Sequence, residues 1–336
     1  MIRVAIAGYG KIGQVRAAEV EKNKCTELVG VYDIKKPENL SSGIVFCDSY
    51  EELLALDIDA VFVCAFNNVL ADYTTLALKA GKHVFCEKPP ARTSMELKSV
   101  IEAESKSDLV LKYGFNHRYH YSVIEAKKII DSGSMGKLLW LRGVYGKAGS
   151  IDYHKNWRNY REYSGGGILI DQGIHMLDLM RYFSGEDFKH INSFVTTSYW
   201  DIEAEDNAFA IMQSDNRVTA MLHSSATQWQ HKFLLEMCFE EGYVNLDGIL
   251  SGTRSYAPEK LVVGRREFED TTFAMGKPKE STTWFENDDS WKLEVDEFVD
   301  AILGKTTIQN GTSTDAYETL RLVEKIYENS GFYSDK

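Results

Sequence analysis

Apolar and polar positions follow two different patterns along the chain, and the change falls near residues 115 to 120. Before it, apolar runs of strand length alternate with segments of helical periodicity. The strand-like runs are RVAIAG, TELVGVYD, AVFVCAF, HVFCEK and LVLKYGF. Strands that alternate with helices need crossover connections, which predicts a parallel sheet with helices on both faces.

Beyond residue 120, long strand-like stretches dominate. One helix, one strand and a glycine-led helix at about 168–183 precede INSFVTTSYW, NAFAIMQS, RVTAMLHSSATQ, FLLEMCFEE and GYVNLDG. Turn residues such as those at 214–216 separate these stretches, which predicts an antiparallel sheet. We therefore predict an α/β chain with domains at 1–117 and 118–336. The helical segments at 290–330 are candidates to pack back on the first domain.

Composition and charge narrow the classes of function. The 336 residues are 44% hydrophobic and 26% charged, as in soluble globular proteins, and the formal net charge is -12. No Lys/Arg run offers a basic face, so no nucleic-acid partner is expected. The longest apolar run is strand-sized, so no membrane span is expected, and the first residues enter a strand pattern without a signal segment. Five scattered cysteines without a CxxC pair favour reduced thiols in the cytoplasm.

A glycine loop at residues 8–13 is the first candidate site. GYGKIG follows a strand and opens a helix, where glycines allow a pyrophosphate to approach free backbone amides. The predicted cofactor contacts here are Gly8, Tyr9, Gly10, Lys11, Ile12 and Gly13. Asp33 closes the next strand, where a carboxylate binds ribose hydroxyls and repels a 2′-phosphate, so NAD is favoured. Lys35 and Lys36 follow it, so NADP is not excluded. The alternative is a glycine turn without a nucleotide.

Two further strand ends carry candidate residues. Ala65, Phe66 and Asn67 follow the third long strand-like run, at the sheet edge where ligands bind, so we expect them near the nicotinamide. Glu87 and Lys88 precede Pro89 at the end of the next one. A proline-fixed turn can direct the lysine toward the cofactor. The alternative is a solvated charge pair before a proline.

The segment GGGILIDQGIH at 165–175 is the third candidate site. Asp171 and His175 are four residues apart, which on a helix places them on one face. Histidine exchanges protons near neutral pH, and a carboxylate one turn away can orient it. The alternative is a capping aspartate with a core histidine bonded to a backbone carbonyl.

Together these segments resemble the family of glucose–fructose oxidoreductase, inositol dehydrogenase and rhizopine-catabolism proteins (Gfo/Idh/MocA). The resemblance rests on the glycine loop, the Glu87-Lys88-Pro89 turn, GFNHRYH at 114–120, Trp157-Arg158 and GGGILIDQGIH, in this order. It implies a Rossmann-type domain followed by an α+β domain with a large, open-faced, mostly antiparallel sheet. It also implies a homodimer or homotetramer formed through that sheet.

The resemblance further implies roles for individual residues. Lys88 contacts nicotinamide ribose and substrate, often beside a cis Lys88–Pro89 peptide, and Asn116 joins the cofactor site. Asp171 lies at the substrate and His175 is the general base. The implied activity is hydride transfer between NAD(P) and a secondary alcohol of a sugar or cyclitol.

The substrate is less defined. Polar and basic residues precede Asp171 in the sequence: Arg142, Lys147, Tyr153, His154, Lys155, Asn156, Trp157, Arg158 and Arg161. Tyr153 and Trp157 are candidates to stack on a sugar. We expect about half of the charged residues to be ordinary surface charges. The others, Arg158 among them, are candidates to bind a carboxylate, a phosphate or a nucleotide diphosphate. Free sugars and nucleotide-linked sugars thus both stay open. No metal site is expected, because His117 and His120 lack a third ligand. We interpret both as polar residues near the cofactor or in the first helix of the second domain. An NAD-dependent glycoside hydrolase is the alternative enzyme, and a non-catalytic sugar sensor is a remote one.

Overall fold

The chain forms two units, each built on one sheet, and the first unit includes two segments from beyond residue 120. The computed structural model describes residues 1–267 and 279–334. The first unit comprises Met1–Asn116, Glu162–Gly165 and Ser290–Arg321. The second comprises His117–Arg161, Gly166–Asp289 and Leu322–Lys336. The predicted range 118–336 includes 268–278 and 335–336, which lie outside the described residues.

Among the described residues, six strands pair in parallel in the first unit, in the order β3-β2-β1-β4-β5-β6. The strands are β1 Ile2–Ala7, β2 Thr26–Tyr32, β3 Val45–Cys47, β4 Ala60–Val63, β5 His83–Cys86 and β6 Leu111–Tyr113. The helices are α1 Lys11–Lys22, α2 Tyr50–Ala55, α3 Asn67–Lys79, α4 Leu97–Glu104 and, far along the chain, α8 Ser290–Ile302.

Helix α8 belongs to the core of the first unit. Phe298 packs edge-on against Phe62 of β4 and Phe85 of β5, at centroid distances of 5.5 and 5.7 Å. The two strand rings stack at 4.9 Å. All three side chains are buried, and truncating one such ring to alanine costs about 3–5 kcal/mol. The first sheet therefore depends on a helix that the sequence supplies near its end.

The second unit holds a larger, mostly antiparallel sheet. Within the described residues its order is β14-β13-β12-β11-β7-β10-β9-β8, with β7 and β10 parallel to each other. The strands are β7 Leu138–Gly146, β8 Phe188–Thr196, β9 Asn207–Ser214, β10 Thr219–Ser225, β11 Lys232–Phe239, β12 Gly242–Asp247, β13 Glu259–Arg265 and β14 Glu280–Phe285. The helices are α5 Tyr121–Asp131 and α7 Ile174–Ser184, while the unit boundaries fall within α6 Arg161–Ser164 and α9 Ser313–Ser330.

Helix α7 covers one face of this sheet. It packs on β7 and β10, and Gly143 of β7 permits the close approach. A Cβ on Gly143 would lie 2.6 Å from Met180 and 2.7 Å from Met176 of the helix. The helix is buried from Ile174 to Met180, so it forms the core layer that carries His175.

The predicted fold class is confirmed, with local differences. The strands β3, β13 and β14 were not predicted. The first has only three residues, and β14 is exposed along almost its whole length, so neither shows an apolar core face. The glycine-led segment is not one α-helix, because Leu169–Gly173 is a π-helical turn ahead of α7. Among the described residues, no helix has the length and apolar content needed to cross a membrane.

A buried charge network connects helices α1 and α8 with the end of β5. The Arg16 guanidinium donates to Glu87 and to Glu294, each at 2.7 Å. It lies between the rings of Phe85 and Trp291, at 4.3 and 4.4 Å. Burial raises the pKa of Glu294 to about 7, although Arg16 and Lys112 oppose the rise. One guanidinium thus holds two carboxylates, of which Glu294 keeps its proton to a higher pH than an exposed glutamate does.

We predict that Arg16→Met lowers the free energy of unfolding by about 3–5 kcal/mol, because it leaves two buried carboxylates without their cation. Urea denaturation at pH 8 measures the change. The matched control is Arg3→Met, since Arg3 forms longer ion pairs of 3.6 Å with Glu27 and Asp57 and is 41% exposed. That exposed change should cost less than about 1 kcal/mol. Equal losses in the two variants would contradict the role assigned to the network.

Candidate functional site

The glycine loop between β1 and α1 combines tight packing with one open position. Gly8 has φ +91°, and a Cβ there would lie 2.5 Å from the Cys64 carbonyl oxygen. A Cβ on Gly13 would lie 2.0 Å from the Gly8 oxygen. At Gly10, by contrast, a Cβ would meet no described heavy atom within 4 Å. The outer glycines are therefore required by packing, and the middle one keeps the surface at the start of α1 open.

The start of α1 is suited to an anion. Gly10 is the N-cap residue, and no side chain of the described residues caps this helix end. The first helical hydrogen bond runs from the Gln14 amide to the Gly10 oxygen, at 3.0 Å. The amides of Lys11 and Ile12 stand in the first turn, where backbone donors and the helix dipole favour a phosphate. The loop thus fits the pyrophosphate of a dinucleotide.

Asp33 connects the glycine loop to the end of β2. Its carboxylate accepts hydrogen bonds from the Tyr9 amide at 2.6 Å and the Lys35 amide at 3.0 Å. The Gly8 amide donates to the Tyr32 oxygen at 2.7 Å. An ionised carboxylate has about four acceptor positions, so both oxygens retain capacity for ribose hydroxyls. Sequence reasoning anticipated a ribose contact and missed this second role of holding the loop.

The residues predicted to lie near the nicotinamide follow β4, at the start of α3. Phe66 is the N-cap residue of α3, and its ring meets Tyr163 edge-on at 6.1 Å. The Asn67 side chain is buried and donates to the Ser164 oxygen at 2.9 Å. Ala65 lies beside the glycine loop, since its amide nitrogen would be 2.7 Å from a Cβ on Gly8. Asn67 therefore also fixes the short segment 162–165 within the first unit.

The turn after β5 carries Glu87 and Lys88. The Lys88–Pro89 peptide is cis, as the resemblance implied. Glu87 is buried in the network with Arg16, and Lys88 is half-buried beside it. Gly114 packs over that network, because a Cβ there would lie 3.0 Å from the Glu87 carboxylate. The buried pair therefore anchors the turn that presents Lys88.

Asn116, the remaining predicted cofactor residue, is buried at the end of the first unit. Its side-chain amide donates to the Ser290 hydroxyl at 3.3 Å. Ser290 is the first residue of α8, so this contact holds the residues after β6 to the same helix that supplies Phe298 and Glu294.

In the second unit, the π-helical turn that carries Asp171 is held by a buried carboxylate. Glu205 accepts from the Gly167 amide at 2.7 Å and the Leu169 amide at 3.0 Å. The hydroxyls of Tyr327 and Tyr333 donate to it, each at 2.7 Å. Burial raises the pKa of Glu205, and the two tyrosine hydrogen bonds oppose the rise. Because a Cβ on Gly167 would lie 2.1 Å from the Glu205 backbone oxygen, the glycine run serves this close contact.

Asp171 lies among cationic and aromatic side chains. Its carboxylate accepts from Arg158 at 3.2 Å and from Gln172 at 3.1 Å, and Lys147 lies 3.6 Å away. Burial and then the Asp171 charge raise the pKa of Tyr153. The predicted substrate residues Tyr153, Arg158 and Asp171 are therefore brought together, with Trp157 beside them, its ring 4.4 Å from the Arg158 guanidinium.

His175 is the second residue of α7 and is only 4% exposed. Its ring stacks on His117 at a centroid distance of 3.8 Å and an interplanar angle of 16°. A ring nitrogen of His117 shares a hydrogen bond of 2.9 Å with the Tyr145 hydroxyl. His117 was interpreted only as a polar residue near the cofactor or in the first helix of the second domain. It actually precedes α5, and its position next to GFN in the sequence gave no sign of the stack.

His120 also precedes α5 rather than lying within it. It is the N-cap residue of that helix, and its ring pairs with the Glu259 carboxylate at 2.9 Å. Glu259 also accepts from the Ser122 and Leu250 amides, at 3.1 and 2.9 Å. This histidine thus helps to join the start of α5 to β13.

The basic residues ahead of Asp171 do not form one cluster. Arg142 pairs with Glu236 across neighbouring strands at 2.6 Å, and Lys155 pairs with Asp152 at 2.9 Å. Arg161 lies over the Tyr333 ring at 4.1 Å. Lys147 and Arg158 lie at Asp171. About half of these charged residues were expected to be ordinary surface charges, and the expectation that the others bind a carboxylate or phosphate stays a prediction.

Comparison with known proteins identifies relatives of this chain. A model described as the oxidoreductase family, NAD-binding Rossmann fold, matches residues 2–115. A model described as the GFO/IDH/MocA C-terminal domain matches residues 123–245. The chain belongs to the Gfo/Idh/MocA family. The predicted family and its NAD-type cofactor are thereby confirmed. In this chain, the open loop at Gly10 is the part that fits the dinucleotide.

Individual relatives in the family are named for sugar or cyclitol substrates. The chain is 30% identical over 196 residues to a myo-inositol 2-dehydrogenase of Thermotoga maritima, covering 56% of this chain and 57% of the relative. It is 33% identical over 191 residues to a D-glucoside 3-dehydrogenase of Escherichia coli K12, covering 55% and 54%. The chain thus spans about half the length of these relatives. A levoglucosan dehydrogenase in complex with NADH shares the fold, with TM-score 0.83, 20% identity and coverage of 98% and 97%.

We predict that Gly10→Ala weakens NAD binding at least tenfold and changes the free energy of unfolding by less than about 0.5 kcal/mol. The added methyl meets no described atom of the protein, but it occupies the open surface where the pyrophosphate approaches. Calorimetric titration with NAD and urea denaturation measure the two quantities. Gly252→Ala is the matched control, because its Cβ also meets nothing within 4 Å. Unchanged NAD affinity in Gly10→Ala would refute the assignment of the glycine loop to the pyrophosphate.

Proposed function

We propose that the protein is an NAD(P)-dependent oxidoreductase that transfers a hydride between the nicotinamide and a secondary alcohol of a sugar, cyclitol or nucleotide-linked sugar. The observation that carries the proposal is the presence, on one chain, of a glycine loop open to a dinucleotide and a buried imidazole, His175, that follows Asp171 by four residues. The relatives named above, a myo-inositol 2-dehydrogenase and a D-glucoside 3-dehydrogenase, support the substrate class. NAD is favoured over NADP because Asp33 presents a carboxylate beside the loop.

The catalytic residues in this proposal are Lys88, Asp171 and His175. When bound, the nicotinamide accepts or returns the hydride. His175 takes the proton of the reacting hydroxyl, and simultaneous removal of this proton avoids a protonated carbonyl. The Lys88 ammonium stabilises the developing alkoxide. Asp171, held by Arg158 and Lys147, accepts a hydrogen bond from the substrate and fixes its orientation.

The remaining site residues bind rather than react. The glycine loop from Gly8 to Gly13 and Asp33 hold the adenosine and pyrophosphate half of the cofactor. The other proposed cofactor contacts are Ala65, Phe66, Asn67, Glu87, Lys88 and Asn116. Tyr153, Trp157 and Arg158 line the substrate side with Asp171.

An NAD-dependent glycoside hydrolase is the alternative, because transient oxidation, elimination, water addition and reduction use the same lysine, aspartate and histidine. A sugar sensor is a remote alternative, since a non-catalytic protein has no need to retain Lys88 and His175. Release of reduced cofactor or of a leaving group separates these functions.

We also propose a homodimer or homotetramer that forms through the second sheet. The face of this sheet opposite α7 exposes apolar side chains on adjacent strands: Trp140, Phe194, Phe209, Ile211 and Met221. Such a contiguous apolar face is typical of a protein interface. A reducing compartment such as the cytoplasm is supported by five free thiols, all in described parts of the chain.

We predict that His175→Ala and Lys88→Ala each lower kcat by about 10²–10⁴-fold, because each removes a group that stabilises charge or moves a proton. NAD affinity, measured by calorimetry, should persist in His175→Ala. His190→Ala and Lys106→Ala are matched controls, since both side chains are exposed. Turnover close to that of the unaltered protein in both catalytic variants would disprove the assignment.

We predict that a panel of free sugars, inositols, sugar acids, glycosides and nucleotide sugars contains a substrate that reduces NAD stoichiometrically. Absorbance of the reduced nicotinamide follows the reaction, and chromatography follows any leaving group. Release of a leaving group without net reduced cofactor would favour the hydrolase. Binding of sugar without either product would favour the sensor.

A further inference from the structure

Three aromatic residues form an exposed patch on the second unit. Tyr199 and Trp229 are 64% and 58% exposed, and their rings meet edge-on at 4.7 Å. Trp200 completes the patch, at 5.1 Å from Tyr199 and 6.0 Å from Trp229. We call Tyr199, Trp200 and Trp229 the aromatic patch. Large exposed rings in contact with one another are unusual unless they bind something.

The aromatic patch is continuous with the surroundings of Asp171. Trp200 packs against Tyr153 at 4.8 Å. The Lys147 ammonium lies 5.9 Å from the Tyr153 ring centroid and 3.6 Å from the Asp171 carboxylate. One series of contacts within the second unit therefore runs from the proposed substrate carboxylate to the exposed rings.

The loop that carries Trp229 also contacts this region on both sides of the residue. The Gln228 amide donates to the Lys147 oxygen at 3.3 Å. Two residues beyond Trp229, the ring of His231 meets Tyr256 edge-on at 4.6 Å. Burial and then the Lys147 charge lower the pKa of His231. Trp229 is thus presented by a loop whose flanking residues contact Lys147 and Tyr256.

The backbone of Trp229 is itself unusual. Its φ is +58°, a conformation that bulky residues rarely adopt. Because the ring is exposed, its burial contributes little free energy to offset the backbone strain. Packing alone therefore does not explain a tryptophan at this position. Trp200 beside it is held firmly, since its indole N–H donates to the Ala226 oxygen at 2.9 Å and a Cβ on Gly149 would meet its ring at 2.4 Å. Strained, exposed residues on a rigid base occur most often at ligand sites.

The charges around the patch favour a neutral ligand. Lys147 and Arg158 are engaged by Asp171, and Lys155 by Asp152. The residues after Trp200 include Asp201 and Glu203, which line a small cavity of about 170 Å³ with His154, Asn159, Tyr160 and Ile202. Carboxylates accept hydrogen bonds from sugar hydroxyls and repel phosphates. Aromatic faces bind the apolar face of a pyranose ring.

We propose that the aromatic patch is a second sugar subsite, which binds the non-reacting ring of a neutral glycoside whose reacting ring lies at Asp171. The inference rests on the proposed function for the identity of the reacting ring. It narrows the substrate class from sugars in general to glycosides with at least two rings, and it disfavours nucleotide-linked sugars.

The test measures affinity and turnover with matched probes. Calorimetry and kinetics on the NAD-loaded enzyme use the disaccharides cellobiose, maltose and gentiobiose, with glucose as the single-ring probe and UDP-glucose as the anionic probe. At least one disaccharide should bind more tightly than glucose and UDP-glucose. In Trp229→Ala the ratio of disaccharide to glucose affinity should fall about fivefold to tenfold, and Trp229→Phe should retain most of it.

The control variant is Trp284→Ala, since Trp284 on β14 is 59% exposed and lies outside the aromatic patch. It should leave the affinity ratio unchanged. An equal loss of glucose and disaccharide affinity in Trp229→Ala, tighter binding of UDP-glucose than of every disaccharide, or the same change in Trp284→Ala would overturn the proposal. So would dissociation of the assembly in Trp229→Ala, measured by sedimentation.

Because calorimetry detects binding without turnover, failure of the subsite and failure of the proposed function are distinguishable. Selective loss of disaccharide binding in Trp229→Ala supports the subsite even if no cofactor is reduced. Turnover of glucose with no preference for any disaccharide overturns the subsite and leaves hydride transfer intact.

Discussion

The two buried ion pairs of the Arg16 guanidinium are the interaction on which the first unit depends. A buried cation without partners is very costly, so its position requires two carboxylates within hydrogen-bonding distance. Glu87 comes from the turn that presents Lys88, and Glu294 comes from α8. Arg16 itself lies on α1, the helix that begins at the glycine loop. One charge network therefore connects the glycine loop to the turn that presents Lys88.

Glu205 performs the corresponding task in the second unit. Its carboxylate holds two backbone amides ahead of the π-helical turn, and Tyr327 and Tyr333 complete its hydrogen bonds. A π-helical turn is uncommon and occurs frequently at functional sites. Here it carries Asp171, while the α-helix that follows carries His175. In each unit, therefore, a buried carboxylate and its hydrogen bonds fix the backbone that carries residues of the proposed site.

Much of the candidate site followed from local sequence. The glycine spacing at 8–13, the acid at the end of β2 and the proline-fixed turn after β5 each encode a local backbone shape with a known use. His117 escaped this reasoning because its role depends on a ring stack with His175, which no local pattern encodes. The basic residues ahead of Asp171 show the same limit of local sequence. Proximity along the chain did not distinguish Lys147 and Arg158, which lie at Asp171, from Arg142, which pairs with Glu236 on the neighbouring strand.

By itself, the sequence determined most of the strands and helices and the nature of the glycine loop, because apolar periodicity and glycine positions act over a few residues. The tertiary structure decided which distant charges meet. Arg16 and Glu294 are 278 positions apart, and Glu205 reaches the turn before Asp171 through the pairing of separate segments. Such contacts depend on how whole elements pack, so only the folded chain reveals that the aromatic patch connects to Asp171 through Tyr153 and Lys147.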